Sequence, residues 1–420
     1  MSKIKIALTN LAKNNLFFRK IFRGILYAYK NMRYKIRRCG KKIDDKMVFF
    51  SSFNGKYYTD SPKAIYLYMK NNPEFKDYKF VWAFREPENY KELEDEHTIL
   101  VKQNTKKYEE YLAKSKYWII NHRIYDYIYP KKEQVYVQCW HGTPLKRLGC
   151  DLQKTENALN TLKEVKKKWH IEAKKVNFVI SPSKFTTEKL SSALDLKSVN
   201  KEDCMIEQGY PRNDFLYNYT EDDVKRIKEK IGIDKINKKI ILYAPTFRDN
   251  QHQAGVGYTY KTEVDFDKLQ KELQDEYIIL FRAHYFVSNS FDFEKYKGFI
   301  YNVSDIDDVN ETYIVSDILI TDYSSVFFDY ANLKRPMLFY MYDFEEYKDE
   351  MRGFYIDINE LAGEITKTED ELIKAIKNIK NFEYTEKYKK FNEKFNYLDD
   401  GQAAKRTVEK IMGGKVWKEF

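Results

Sequence analysis

Short apolar runs recur along this chain, each followed by a longer charged stretch with helical spacing, and this alternation restricts the possible folds more than any other feature. A run too short for a helix, and apolar on both faces, reads as a strand buried within a parallel sheet. One series comprises Met47–Ser52, Lys79–Phe84, Thr98–Val101, Tyr117–His122, Val135–Trp140 and Asn177–Ser181. A second comprises Lys239–Ala244, Tyr277–Phe281, Phe299–Tyr301, Ile318–Thr321 and Met337–Tyr340. Helical patterns fall between and after them: from Ser61-Pro62, over Thr105–Lys114, over about 156–175, from Ser183, over Thr220–Lys230, and over about 368–381 and 402–412. Strands and helices in alternation predict parallel sheets covered on both faces. Two series in succession predict two Rossmann-like α/β domains facing a cleft. The turn-rich Gly209–Asp214 marks the boundary, giving domains at 44–208 and 209–420.

Residues 1–43 are of another kind. Ile4, Leu8, Leu11, Phe18, Phe22, Ile25, Tyr29, Met32 and Ile36 recur at threes and fours, the stripe of an amphipathic helix. Residues 1–42 carry thirteen of the 74 Lys and Arg and no Asp or Glu, so the remainder of the +10 chain is slightly acidic. A basic helix with aromatic residues on its apolar side reads as a membrane-surface helix, drawn to anionic lipid. The stripe could otherwise dock on the protein's own body or form a coiled coil, although a coiled coil would normally interleave acidic residues. With the basic charge confined to one helix, the charge pattern argues against a nucleic-acid groove, and no nucleic-acid partner is expected. No apolar run is long enough to cross a membrane, and no cleavable signal peptide is expected. Cys39, Cys139, Cys150 and Cys204 lack zinc-ligand spacing and read as reduced thiols. Cys139 and His141, two apart on an expected strand, should share a face.

In open α/β sheets ligands bind beyond the carboxyl ends of the strands, and the chemically active residue types cluster there. His141, Gly142, Thr143 and Lys146 follow one strand. Arg248 follows another, Arg282 and His284 a third, and Thr321, Asp322, Ser324 and Ser325 a fourth. A hydroxyl-rich strand end that runs into a helix presents unpaired N–H groups, so the set predicts a site for a multiply charged anion. Each residue also has a plainer reading. Ser324 or Ser325 can be a helix cap, Lys146 and Arg147 surface charges, Tyr323 packing, and Asp329 a helix-dipole or capping partner. His97, His122, His170 and His252 have no supporting context.

Taken in order, Gln138-Cys-Trp-His-Gly-Thr-Pro-Leu-Lys146, Tyr243–Arg248, Phe281-Arg-Ala-His284, Thr321-Asp-Tyr-Ser-Ser325 with its helix to Asp329, and Leu333–Pro336 resemble the CDP-glycerol glycerophosphotransferase family of teichoic acid primases and polymerases. The resemblance spans roughly residues 45 to 400. It implies the GT-B architecture, and attack by an acceptor hydroxyl on the β-phosphorus of CDP-glycerol with CMP leaving. On that implication His141 is the general base, and His284 contacts the phosphates, although the two histidines could exchange roles. Arg248 and Arg282 neutralise the diphosphate, and Thr321, Ser324 and Ser325 cradle it. Asp322 orients His284 or binds the glycerol hydroxyls. No cofactor and no protein-bound metal is implied, and a Mg²⁺ requirement stays open. The donor is CDP-glycerol or CDP-ribitol, and the acceptor an undecaprenyl-linked one at the cytoplasmic face of the cell membrane, where the protein would be peripheral. The large N-terminal region of the best-known polymerases is not expected here, which brings the length closer to that of the priming enzymes. Two other readings stay open: a GT-B glycosyltransferase using a nucleotide sugar, and a non-catalytic membrane-bound scaffold of the polymer machinery.

Overall fold

The computed structural model describes residues 16–154, 160–246, 252–253, 257–258, 264–282, 291–344 and 353–413. Two all-parallel sheets form the framework. The first contains β1 (Asp44–Ser51), β2 (Lys79–Phe84), β3 (Thr98–Lys102), β4 (Ser115–Ile120), β5 (Val135–Gln138), β6 (Phe178–Ser181) and β7 (Met205–Glu207), in the order β3-β2-β1-β4-β5-β6-β7. The second contains β8 (Lys239–Ala244), β11 (Tyr277–Phe281), β12 (Ile300–Asn302), β13 (Ile318–Thr321), β14 (Met337–Tyr340) and β15 (Glu364–Thr366), in the order β12-β11-β8-β13-β14-β15. A small antiparallel pair, β9 (His252–Gln253) and β10 (Gly257–Tyr258), lies between β8 and β11 in sequence. In each large sheet the strand order reverses beside its first strand, between β1 and β4 and between β8 and β13. Such reversals open a crevice at the strand ends.

The central strands are buried on both faces. Val48, Phe49, Phe50, Ile241 and Leu242 are fully inaccessible, as apolar runs in parallel sheet require. Among the elements that sequence reading missed are the short strands β7 and β15 and the helices Phe266–Leu273, Val309–Val315 and Glu386–Phe395. The helix expected from about 156 starts at Leu162. Thr161 caps it and Glu164 completes a capping box, so the helix begins about six residues beyond the expected start. Strand β5 ends at Gln138 rather than Trp140, because Trp140 turns to φ +51°. Cys139 is therefore sealed in the core while His141 opens to the cleft, and the two do not share a face.

The two sheets are tied together. The last helix, Ala403–Met412, returns to the first sheet, where Val408, Ile411 and Met412 join the core of Phe50, Ile65 and Trp82. Leu145 and Phe185, from the first half, pack into the core of the second.

The helix Leu16–Arg38 lies on the first sheet's side with its polar face inward. Arg33 and Arg37 grip the buried Glu109 carboxylate at 2.7 and 2.8 Å, and Tyr34 is buried. The stripe of Phe18, Phe22, Ile25, Tyr29, Met32 and Ile36 faces outward, with Ile25 65% and Ile36 68% exposed. Ile4, Leu8 and Leu11 lie outside the described residues. Among the described residues no helix is long and apolar enough to cross a membrane.

Candidate active site

A cleft of about 430 Å³ opens between the carboxyl ends of the two sheets. The first sheet contributes Trp140 to Lys146 and Leu148, and the second contributes Ala244 to Thr246, Arg282 and Tyr323 to Val326. Two loops face each other across it, one after β5 and one after β13.

The β5 loop is held in a strained form. A tryptophan at positive φ is unfavourable and persists only where its surroundings enforce it. Here the Trp140 N–H donates to Gln138 Oε1 at 3.0 Å. The Gln138 amide in turn donates to the His122 carbonyl and to Glu172, each at 3.1 Å, and the Tyr136 hydroxyl also donates to Glu172. All three side chains are buried. Burial raises the Glu172 pKa, opposed chiefly by Lys175 and by the hydroxyl of Tyr136.

The turn aims His141. Its Nδ1 lies 2.8 Å from the carbonyl oxygen of Asn121, at the end of β4. A carbonyl only accepts, so Nδ1 carries the proton and Nε2 keeps its lone pair. The ring stacks on Trp140, with centroids 4.3 Å apart. Although the ring is open to the cleft, the surrounding walls partly desolvate it and lower its pKa; the Asn121 carbonyl and Asp60 oppose that, and Arg212 adds to the depression. His141 is therefore a neutral imidazole near pH 7, with a basic nitrogen available. Its neighbour His122 is a different case. His122 Nδ1 accepts from the Asn54 N–H at 3.0 Å, and burial pushes its pKa down to about 3.

Gly142 sits where the loops meet. A Cβ there would lie 3.1 Å from Ser325 Oγ, so the glycine admits the opposite domain's hydroxyl as well as any ligand. The Thr143 hydroxyl is buried with no hydrogen-bond partner among the described residues. A buried hydroxyl without a protein partner at a cleft wall has a hydrogen bond to give to a ligand or a water. Beyond it the segment crosses to the second sheet: Tyr355 N–H donates to the Leu145 carbonyl at 2.9 Å, and Arg147 N–H to that of Gly353 at 3.0 Å. Lys146 forms an isolated antiparallel bridge with Phe354.

On the other side, Ser325 occupies the cap position of the helix Val326–Tyr330 but makes no capping bond through its side chain. That helix has five residues, so its dipole is small and its free N–H groups and nearby hydroxyls matter more. Thr321 and Asp322 lie beneath the surface. The Thr321 hydroxyl donates to the Ala244 carbonyl at 2.7 Å, and Asp322 accepts from the N–H groups of Thr246 and Tyr323 at 2.7 and 2.6 Å. Both shape the turn and are absent from the cleft lining. Arg282 lines the cleft, with its guanidinium partly held by the carbonyls of Val303 and Ile306 at 2.9 and 2.8 Å. His284 and Arg248 lie outside the described residues. Of the residues anticipated from sequence, the structure brings together His141, Gly142, Thr143, Lys146, Arg282, Ser324 and Ser325.

Sequence reading passed over Arg212 as part of a turn. It is buried, and its guanidinium reaches Asp60 of the first half at 3.4 Å and Asp329 of the second at 2.8 Å. Asp329 also accepts from Asn213 at 3.1 Å, which gives it an inter-domain role in place of a cap. The signal was an Arg-Asn-Asp run directly after a proline, at the break where a domain boundary is expected from sequence.

An imidazole with a free Nε2 on one rim, and hydroxyls, N–H groups and an arginine on the other, at the carboxyl ends of two parallel sheets, suit a transferase acting on a phosphorylated donor. The comparisons narrow that class. Residues 32–413 match the family model of CDP-Glycerol:Poly(glycerophosphate) glycerophosphotransferase, and the chain belongs to that family. It is 40% identical over 398 residues, 93% of this chain and 99% of that protein, to a teichoic acid poly(glycerol phosphate) polymerase of Bacillus spizizenii. A protein of the same name in Bacillus subtilis is 41% identical over 88% of this chain, which spans only 49% of that longer relative. Among solved structures, a histidine variant of the wall teichoic acid polymerase TagF soaked with CDPG superposes with a TM-score of 0.83, at 34% identity over 94% of this chain and 97% of that one.

Proposed function

We propose that this chain transfers glycerol phosphate from CDP-glycerol to a hydroxyl of a lipid-linked acceptor in teichoic acid synthesis, releasing CMP. The carrying observation is His141, neutral, with Nε2 free, on the rim opposite Ser324 and Ser325. The acceptor oxygen attacks the β-phosphorus, its proton passes to Nε2, and the bond from that phosphorus to the oxygen shared with CMP breaks. Phosphoryl transfer demands positioning and charge stabilisation more than covalent help. The hydroxyls of Thr143, Ser324 and Ser325 and the Arg282 guanidinium supply donors to the phosphate oxygens. A histidine with a depressed pKa suits a base that must be unprotonated at neutral pH.

The acceptor is read as lipid-linked, and the protein as peripheral at the inner leaflet, because the helix Leu16–Arg38 turns its apolar stripe away from the body. Replacing Phe18, Phe22 and Ile25 together by Ser should abolish co-sedimentation with anionic phosphatidylglycerol vesicles. Undiminished binding would remove the membrane assignment.

The activity is tested by CMP release from CDP-glycerol and CDP-ribitol in parallel, with a polyprenyl-diphosphate-linked disaccharide as acceptor. Acceptor-dependent CMP from CDP-glycerol is expected. Release from neither donor would return the site to nucleotide sugars.

A further inference from the structure

A second groove, of about 850 Å³, lies beside the cleft, lined by Leu162, Lys163, Lys166, Lys167 and His170 of the helix Leu162–Lys175, with Cys150 opposite. We propose that it holds the phosphodiester chain of the acceptor, the units already added, while the chain's terminal hydroxyl sits at His141. The proposal rests on the glycerophosphotransferase reading and extends it from single transfer to chain growth.

Continuity with the cleft is the first argument. Leu148 forms part of the cleft wall, and the turn Gly149–Asp151, directly after it, carries Cys150 into the groove. The turn is pressed onto the same helix: a Cβ at Gly149, where φ is +52°, would lie 2.5 Å from the Trp169 ring. That ring in turn lies 5.2 Å from the ring of Trp140, the residue before His141.

Charge is the second. Lys163, Lys166 and Lys167 stand three and four apart on one helix, a spacing at which like charges repel. None has an ion-pair partner among the described residues, whereas Lys46, Lys70 and Lys377 elsewhere on the surface are paired with carboxylates at 2.6–2.9 Å. Among the described residues lining the groove the one carboxylate, Asp195, sits 3.4 Å from His170 Nδ1. A polyanion would relieve this repulsion, and release of its counterions would drive binding.

Direction is the third. Each transfer leaves a new glycerol hydroxyl at the tip and the earlier units behind it, so the chain must lead from His141 back toward its lipid. The groove's far end does the same. Arg23, on the helix with the outward apolar stripe, reaches Asn160 at 3.4 Å and Glu164 at 3.6 Å, beside Lys163.

The test compares the full-length wild type with a triple variant, Lys163→Gln, Lys166→Gln and Lys167→Gln, and with the three corresponding Lys→Arg changes. Fluorescence anisotropy with a labelled synthetic oligo(glycerol phosphate) of about ten units reads binding. The glutamine variant should bind roughly tenfold more weakly, with a log K against log salt slope shallower by about 2 if each lysine acts as a single-strand phosphate contact does. The arginine variant should bind as wild type does. The KM for CDP-glycerol should be unchanged, confirming an intact cleft, and products should shorten. Equal binding by wild type and the glutamine variant, with CMP release intact, would overturn the groove alone. Absence of CMP release by the wild type would overturn the underlying reading.

Discussion

The loops after β5 and β13 occupy matching places in two similar sheets but are built on opposite principles. The β5 loop concentrates its chemistry in one side chain, His141, and uses a strained tryptophan and a buried Gln138–Tyr136–Glu172 network to hold it. The β13 loop spreads its chemistry over Ser324, Ser325 and backbone N–H groups, with Thr321 and Asp322 spent on fixing the turn. On the proposed mechanism the difference follows from the reaction. Proton removal needs one basic atom in one place, whereas a diphosphate carries several oxygens and is best held by many modest donors.

The contrast can be broken at four points, in descending order of effect. Arg212→Ala should strike both sides at once, since it strands Asp60 and Asp329 as buried carboxylates. A loss of about 3–5 kcal/mol in denaturant unfolding, with activity lost, is expected; a change below 1 kcal/mol would show that the domains are held otherwise. Ser325→Ala and Ser324→Ala should each cost about 1.5–3 kcal/mol of interaction with charged phosphate, roughly ten- to hundredfold. The loss should fall mainly in the KM for CDP-glycerol and remain graded, as a distributed site requires. Gln138→Ala touches no substrate, but it frees the Trp140 N–H and should lower kcat about tenfold while leaving the donor KM in place. An equal rise in KM would mean that the network serves binding instead.

The effect that is smallest at neutral pH, and grows only as the pH falls, separates the neighbouring histidines His122 and His141. His122 has a folded pKa of about 3, below its unfolded value near 6.5, so its contribution to stability is complete above pH 6.5 and is lost as pH falls toward 3. Unfolding free energy should decline across that window, by up to about 1.4 kcal/mol per pH unit from this residue. His122→Asn should flatten the decline, and an unchanged slope would place the proton uptake elsewhere.

Much of the framework was readable in the chain because a buried parallel strand leaves a compact signature. Ile318-Leu-Ile-Thr321 and Lys239–Ala244 lie within a residue of where their apolar runs put them. Strand β15, with Glu364 exposed at its start, has no such signature, because an edge strand covers less of the core. The site was legible as a set of strand ends but not as a set of roles. Nothing in Thr-Asp-Tyr-Ser-Ser distinguishes Thr321, whose hydroxyl is committed to Ala244, from Ser325, whose hydroxyl faces Gly142. Arg212 was missed for a related reason. Its partners lie 152 and 117 positions away along the chain, beyond any local pattern. In the N-terminal helix the periodicity located the stripe, and only the grip of Arg33 and Arg37 on Glu109 decided which face turns inward.

The central claim is that His141, neutral and with a free Nε2, removes the acceptor's proton. The most direct measurement is the pH dependence of kcat/KM for CMP release from CDP-glycerol, in the wild type and in His141→Ala. The wild type should hold its rate from neutrality down and fall along a single acid limb centred below the ordinary histidine value of about 6.5. The variant should lose about 10²- to 10⁴-fold, the range of general-base catalysis, and the acid limb with it. A variant that keeps both its rate and the acid limb would contradict the assignment and place the base on another residue.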